Sequence, residues 1–339
     1  MHDGSRDLAS RTTLRLGGPA GRLVTATVTE EIPALVRGAD SLLVLAGGSN
    51  VVVADAGFPG TVLLLRNRGI AVARDGDGVT LTVAAGEPWD DVVARTVEEG
   101  WSGIECLSGI PGSAGATPIQ NVGAYGQEVA ETITSVRVYD RERDRVEVYE
   151  PADCGFGYRT SVFKHSDRWI VVDLTLRLSV DRLSAPIRYP ELARALGVAV
   201  GDRAPLDEVR AAVWKLRAGK GMVLDPEDPD TYSVGSFFTN PVLPAAAYER
   251  LRDTGAPAWP NPDGTVKTSA AWLIERAGFP KGYGRDGVAI STKHTLALTN
   301  RGTGSTAALL ELAREIRAGV AARFGVTLVP EPVLVNCAL

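Results

Sequence analysis

At 339 residues, 45% of them hydrophobic and 23% charged, the composition is globular and the length exceeds a single core, which rarely grows beyond roughly 250–300 residues. The net charge of −5 excludes general nucleic-acid binding, and the scarcity of Lys, six of 36 cations, is attributed to base composition rather than to a phosphate-binding surface. There is no run of about 18 apolar residues and no apolar stretch in the N-terminal MHDGSRDLASRTT, so a cytoplasmic protein with no membrane partner is expected.

In chain order, Leu14–Gly21 reads as a short strand broken by a Gly-Gly-Pro turn, and Val24, Ala26 and Val28 alternate with Thr25 and Thr27 as a half-buried strand. A short helix from Glu30 carries Ile32, Leu35 and Val36 on one side. The apolar run Leu42–Leu45 is a buried strand that ends in Ala46, Gly47, Gly48, Ser49 and Asn50. A strand running into Gly-Gly-Ser-Asn makes a nest of N–H groups suited to an anion such as pyrophosphate, although a hairpin turn needs the same residues. Neither a dinucleotide fingerprint nor a P-loop follows.

Val79, Leu81 and Val83 mark the next strand, and Pro88 opens a helix that buries Trp89, Val92, Val93, Thr96 and Val97 and stops at Gly100. Then comes the richest stretch, Ile110–Gly126, which reads IPGSAGATPIQNVGAYG. It has too little bulk to build a core, but Gly112, Gly115, Gly123 and Gly126 let backbone N–H groups approach a ligand. Gln120 and Asn121 add amides that both donate and accept. The alternative is a tight loop that only the fold requires.

Beyond it, SVRVYDRERDRVEVYE is a hairpin, Trp169–Leu178 a strand, and Asp207–Arg217 an amphipathic helix. The proline-broken acidic run Leu224–Asp230 marks the domain boundary. Helices follow near Ser269–Ala277 and from Ser305 to Gly325, the latter a core helix, and the tail VTLVPEPVLV is a strand interrupted by Pro330 and Pro332.

Much familiar chemistry is absent. Cys106, Cys154 and Cys337 are too few and scattered for a disulfide framework or a zinc site, and His2, His165 and His294 lie far apart in sequence. Three positions remain as candidates: Arg159 after a Gly-rich turn, Ser236 between Gly235 and two aromatics, and Glu331 between prolines. A surface ion pair, a turn hydroxyl and an exposed strand end are their ordinary alternatives.

AGGSNVV at 46–52, IPGSAGATPIQNVGAYGQE at 110–128, CGFGYRTSVFK at 154–164, GSFFTNPV at 235–242 and VPEPV at 329–333 together resemble the UDP-N-acetylenolpyruvoylglucosamine reductases, flavoenzymes of peptidoglycan precursor synthesis, in the same order along nearly the whole chain. The resemblance implies an α+β fold: a two-subdomain FAD-binding module of the vanillyl-alcohol-oxidase (PCMH) type, residues 1–70 with 326–339 and residues 71–224, plus a substrate domain at 225–325. It implies FAD and NADPH as cofactors, a UDP-sugar substrate and a monomer.

By the same resemblance Arg159, Ser236 and Glu331 are catalytic. FAD contacts fall on Ala46, Gly47, Gly48, Ser49 and Asn50 in one loop, and on Pro111, Gly112, Ser113, Gly115, Ala116, Gln120, Asn121, Gly123, Ala124 and Gly126 in the other. Substrate contacts fall on Tyr189, Asn240, Trp259 in place of a tyrosine, and Lys220, with Met222 the competing alignment for that lysine. An oxygen-using FAD oxidase or dehydrogenase on the same module is the alternative activity.

Overall fold

The alternating runs between residues 70 and 180 assemble into one antiparallel sheet. The structure is a computed structural model that describes residues 6–76 and 78–339, so His2 lies outside the described residues. In that sheet the strands run in the order Arg145–Tyr149, Ile133–Asp140, Trp169–Val180, Gly78–Ala84 and Ile70–Asp75. The hairpin read from SVRVYDRERDRVEVYE pairs Val136 with Tyr149 and Asp140 with Arg145. Strand Trp169–Val180 is the centre of the sheet. Ile170, Val171, Val172 and Leu174 are all buried, so both its faces are covered along that run.

Helix Trp89–Glu99 has Pro88 at its N-cap and Gly100 just past its end in the left-handed conformation (φ 75°), as the punctuation predicts. It packs Trp89, Val92 and Val93 into the same core as Leu81, Val138, Leu174 and Leu176. A smaller sheet sets Leu42–Leu45 parallel to Phe58–Leu65, with Ala20–Ala26 on the other side of the latter. No strand forms at Leu14–Leu16; the two leucines are buried on irregular chain, with Arg15 between them exposed. Pro190–Leu196, a helix not anticipated from the sequence, packs with Leu206–Gly219 and Cys106 in a third apolar cluster.

The chain divides into two compact units. The first comprises residues 20–48 and 59–219; the second comprises the N-terminal residues through Pro19, residues 49–58 and residues 220–339. In the second, a four-stranded sheet runs in the order Ser233–Ser236, Ala297–Asn300, Val288–Ile290 and Gly284–Arg285. Its core holds Leu273, Ile274, Leu309, Leu312 and Ile316 from helices Ala270–Arg276 and Thr306–Phe324. The long helix starts on Ser305, whose side chain accepts from the Ala308 N–H, and ends at left-handed Gly325. The tail is strand only after its prolines, where Val333–Val335 pairs in parallel with Val51–Val53. All three cysteines are free thiols, Cys106 and Cys154 buried and Cys337 partly so.

Candidate active site

In the first unit the loop Ile110–Gly126 lies against the start of helix Trp89–Glu99. The Ala114 N–H donates to Glu87 O (2.8 Å), the Gly115 N–H to Ala85 O (2.9 Å) and the Trp89 N–H to Gly112 O (3.1 Å). Two glycines are required by close approach. A Cβ on Gly47 would sit 2.5 Å from Gly112 Cα, and one on Gly115 would sit 2.4 Å from Ala85 Cβ. The glycine loop after Leu45 and the long loop therefore touch, backbone against backbone, at Gly47 and Gly112. In the long loop, next to Gly112, Ser113 Oγ is buried with no hydrogen-bond partner among the described residues.

Two N–H-rich turns in contact and an orphaned hydroxyl fit a diphosphate-bearing cofactor, because a buried hydroxyl without a partner costs about 1–3 kcal/mol. Gly48, at φ 64°, continues the first turn, whose Ala46 carbonyl accepts from Arg66 Nη1 (2.8 Å). Ser49 and Asn50 fall in the second unit, where Asn50 O accepts from the Val333 N–H (3.0 Å). Pro111, Ala116 and Gln120 are half-buried along the long loop.

Asn121 is only 2% exposed. Its amide donates to Glu128 (2.8 Å) and Gly157 O (3.2 Å) and accepts from the Ala130 N–H (3.2 Å), so it braces the loop. Next to it, Gly123 and Ala124 pair with Glu128 and Gln127 in a short hairpin that turns at left-handed Gly126. The Gly123 carbonyl accepts from Arg159 Nη2 (2.7 Å) and the Asn121 carbonyl from Arg159 Nη1 (3.4 Å). Buried Glu105 anchors this region, accepting from the Gly103 N–H, Gln127 Nε2 and the Ala185 N–H.

Arg159 itself sits at φ 55°. Gly157 and Thr160 exchange backbone hydrogen bonds, which makes Tyr158 and Arg159 the central pair of a tight turn. Arg159 holds the position that glycine or asparagine fills in a type II turn. A bulky residue there costs on the order of 1 kcal/mol, and such strain clusters at functional sites. Tyr189 is 44% exposed at the start of helix Pro190–Leu196 and meets Tyr125 edge to face, with ring centroids 5.5 Å apart. Burial pushes the Tyr125 hydroxyl up to about 12 and also raises that of Tyr189. Both therefore stay protonated donors at neutral pH.

In the second unit, Ser236 ends its strand just after a bulge. Ser233 pairs with Thr299 and Ser236 with Ala297, so one extra residue is accommodated, with Gly235 at φ 72°. Such a bulge re-aims the side chain that follows it. The tail runs beside the next residues: the Thr239 N–H donates to Val329 O (3.0 Å) and the Glu331 N–H to Phe237 O (2.9 Å). Glu331 and Ser236, 95 residues apart in the chain, are thereby brought to neighbouring positions. Asn240 caps helix Ala270–Arg276, its Oδ1 accepting from the Ala270 N–H (3.0 Å). Trp259 is 47% exposed in a strand paired with Thr265–Lys267. Lys220 begins the second unit, and the Met222 methyl lies 3.8 Å from where a Gly235 Cβ would stand.

One residue passed over in the sequence enters here. His294 Nε2 lies 3.5 Å from Ser236 Oγ, although the two are 58 positions apart. Spacing gives no signal for a pair created by strand pairing.

Residues 20–148 match the family model described as FAD binding domain. With the glycine cradle and the orphaned Ser113 hydroxyl, this defines an FAD-dependent oxidoreductase built on a PCMH-type module, followed by an α+β domain. Residues 226–335 match the model described as UDP-N-acetylenolpyruvoylglucosamine reductase, C-terminal domain. Proteins named UDP-N-acetylenolpyruvoylglucosamine reductase from Salinispora arenicola and Thermobifida fusca are 65% and 58% identical to the chain. These alignments cover 99% and 98% of the chain, and 96% and 97% of the relatives. The crystal structure of UDP-N-acetylenolpyruvylglucosamine reductase from Thermus caldophilus superposes with a TM-score of 0.67 at 27% identity, covering 97% of each chain. The chain belongs to the UDP-N-acetylenolpyruvoylglucosamine reductase family, which sets aside the oxygen-using oxidase.

Proposed function

We propose that the chain reduces UDP-N-acetylglucosamine enolpyruvate to UDP-N-acetylmuramate with NADPH, and that Arg159, Ser236 and Glu331 perform the chemistry. Bound FAD would supply the hydride chemistry that links NADPH to C3 of the enolpyruvyl group. Ala46–Gly48, Pro111–Ala116 and the hairpin at Gly123–Gly126 are the residues that would hold it.

Negative charge then develops at C2 and spreads into the carboxylate. Arg159 stabilises that enolate with a permanent charge and paired donors. Glu331 contributes by carrying a proton or by orienting the guanidinium, since a bare carboxylate would repel an enolate. Ser236 protonates C2: an alcohol is a weak acid, but adequate toward a strongly basic carbanion. Tyr189, Asn240, Lys220 and Trp259 serve the sugar nucleotide, and the protein works as a cytoplasmic monomer with the three-part domain division drawn from its sequence. Among the described residues no helix is long and apolar enough to cross a membrane.

The observation that carries the assignment is the strained turn at Arg159, which holds a guanidinium against two loop carbonyls where a smaller residue would fit better. Ser236→Ala tests the proton transfer. NADPH should still reduce the flavin, while turnover of the enolpyruvyl substrate falls by about 10²–10⁴. Survival of both half-reactions would remove Ser236 from the chemistry.

A further inference from the structure

Ser236 Oγ must recover its proton once it has given it to C2, and the described residues put one imidazole next to it. His294 Nε2 lies 3.5 Å away, at the outer edge of hydrogen-bond reach, and catalytic hydrogen bonds of free enzymes are often long before substrate tightens them. The turn that carries His294 is tied down along its length. Ser291 Oγ, buried, accepts from the Lys293 N–H (3.0 Å) and the His294 N–H (3.2 Å). The Ser291 N–H donates to Ala297 O (2.8 Å) and the Ala297 N–H to His294 O (3.1 Å). Buried Asp230 accepts from the Thr292 N–H (2.9 Å) and Thr292 Oγ1 (2.5 Å). Ala297, which closes the turn, is also the register partner of Ser236. The backbone that sets the hydroxyl thus sets the imidazole too.

We propose that His294 is the proton relay of Ser236, passing a solvent proton through its Nε2 to the seryl oxygen as that oxygen protonates C2. This rests on the reading of Ser236 as the proton donor. In the step, the Ser236 O–H bond breaks as the C2–H bond forms. The seryl oxygen takes the Nε2 proton, and the neutral imidazole takes one from water. The electron pair arrives with the hydride at C3, so each turnover consumes one NADPH and one solvent proton and leaves both side chains unchanged.

Charged groups on the surrounding elements set the field at the imidazole. Lys293 is paired with Asp228 (2.6 Å), Asp230 with Arg301 (2.9 Å), Glu275 accepts from Thr295, and Glu331 comes from the tail. His294 acts through Ser236 and is a positioning residue, so its test needs readouts that a structural role would leave unmoved.

Enzyme carrying FAD is reduced with NADPH and then mixed with UDP-N-acetylglucosamine enolpyruvate. In His294→Gln and His294→Ala, reduction by NADPH should match the wild type while enolpyruvate-driven reoxidation slows by about 10²-fold. Free imidazole should restore part of that rate to His294→Ala. In the wild type, reoxidation should fall as pH rises, and this alkaline limb should vanish in His294→Gln. If Ser236→Ala reoxidises normally, the donor reading and the relay fall together. If Ser236→Ala is inactive but His294→Gln keeps the wild-type rate and alkaline limb, the relay alone is overturned. Slow variants that imidazole does not rescue and that retain the limb also overturn it, leaving His294 as a prop.

Discussion

Arg159 shows how a single residue can be both locally unfavourable and chemically apt. Its left-handed φ of 55° is one that asparagine or glycine adopts more easily, and its side chain is held by two carbonyls of the loop the sequence marked as a cofactor wall. Lysine at this position keeps the backbone strain and the charge but loses the planar fork. Arg159→Lys should therefore melt close to the wild type while kcat falls by about 10²–10³. A variant with near-normal kcat would remove the paired-donor role.

Legibility at this scale was uneven. Arg159, Ser236 and Glu331 stood out as odd residues in glycine- or proline-rich settings. His294 did not, because its neighbour is supplied by strand register and a bulge rather than by proximity in the chain. The brace formed by Asn121 was equally invisible: composition shows an amide in a loop, not which groups consume it.

At the scale of elements, what the sequence showed best were helices with punctuated ends. Pro88 with Gly100 and Ser305 with Gly325 bound their helices within a residue of expectation. The short helix Pro190–Leu196 escaped because seven residues carry too little periodicity. The tail strand was cut to three residues because its prolines cannot donate to a ladder.

Helix packing also offers a pH prediction. Asp90, in the first turn of helix Trp89–Glu99, accepts both arms of Arg210 (2.7 and 2.9 Å) from helix Leu206–Gly219, as well as the Gly109 N–H. Burial opposes its ionisation, but the Arg210 and Gly109 hydrogen bonds outweigh burial and hold the carboxyl below its usual value. A depressed carboxyl stabilises the fold fully above the unfolded value of about 3.9 and loses that contribution as pH falls through the folded value. Asp90→Asn should cost about 1–2 kcal/mol at neutral pH, and the difference from wild type should shrink in strong acid. Urea melts at both pH values measure this, and a difference that persists in acid would contradict the ion-pair account.

For the whole molecule, the chain passes between its two units four times, at 19/20, 48/49, 58/59 and 219/220. The acidic run Leu224–Asp230, read from the sequence as a boundary, lies five residues beyond the last of these crossings. Linear pattern had no means of assigning residues 49–58 to the unit that holds residues 220–339, although the family resemblance had set residues 1–70 with the tail at 326–339. That assignment depends on the parallel pairing of Val51–Val53 with Val333–Val335, about 280 residues apart, and a long-range parallel pair leaves no local trace.

The three thiols give this arrangement a built-in clock. Cys154 lies in the large sheet core and Cys106 in the cluster of helices Pro190–Leu196 and Leu206–Gly219, both in the first unit, while Cys337 belongs to the second. Burial raises all three, Cys154 to about 12, so each is a poor nucleophile until its surroundings open. Timed alkylation of the native protein, read by peptide mass, should label Cys337 first and then Cys106 and Cys154 at separate rates, each the breathing rate of its own core. Identical rates at all three would mean that the molecule opens only as a whole.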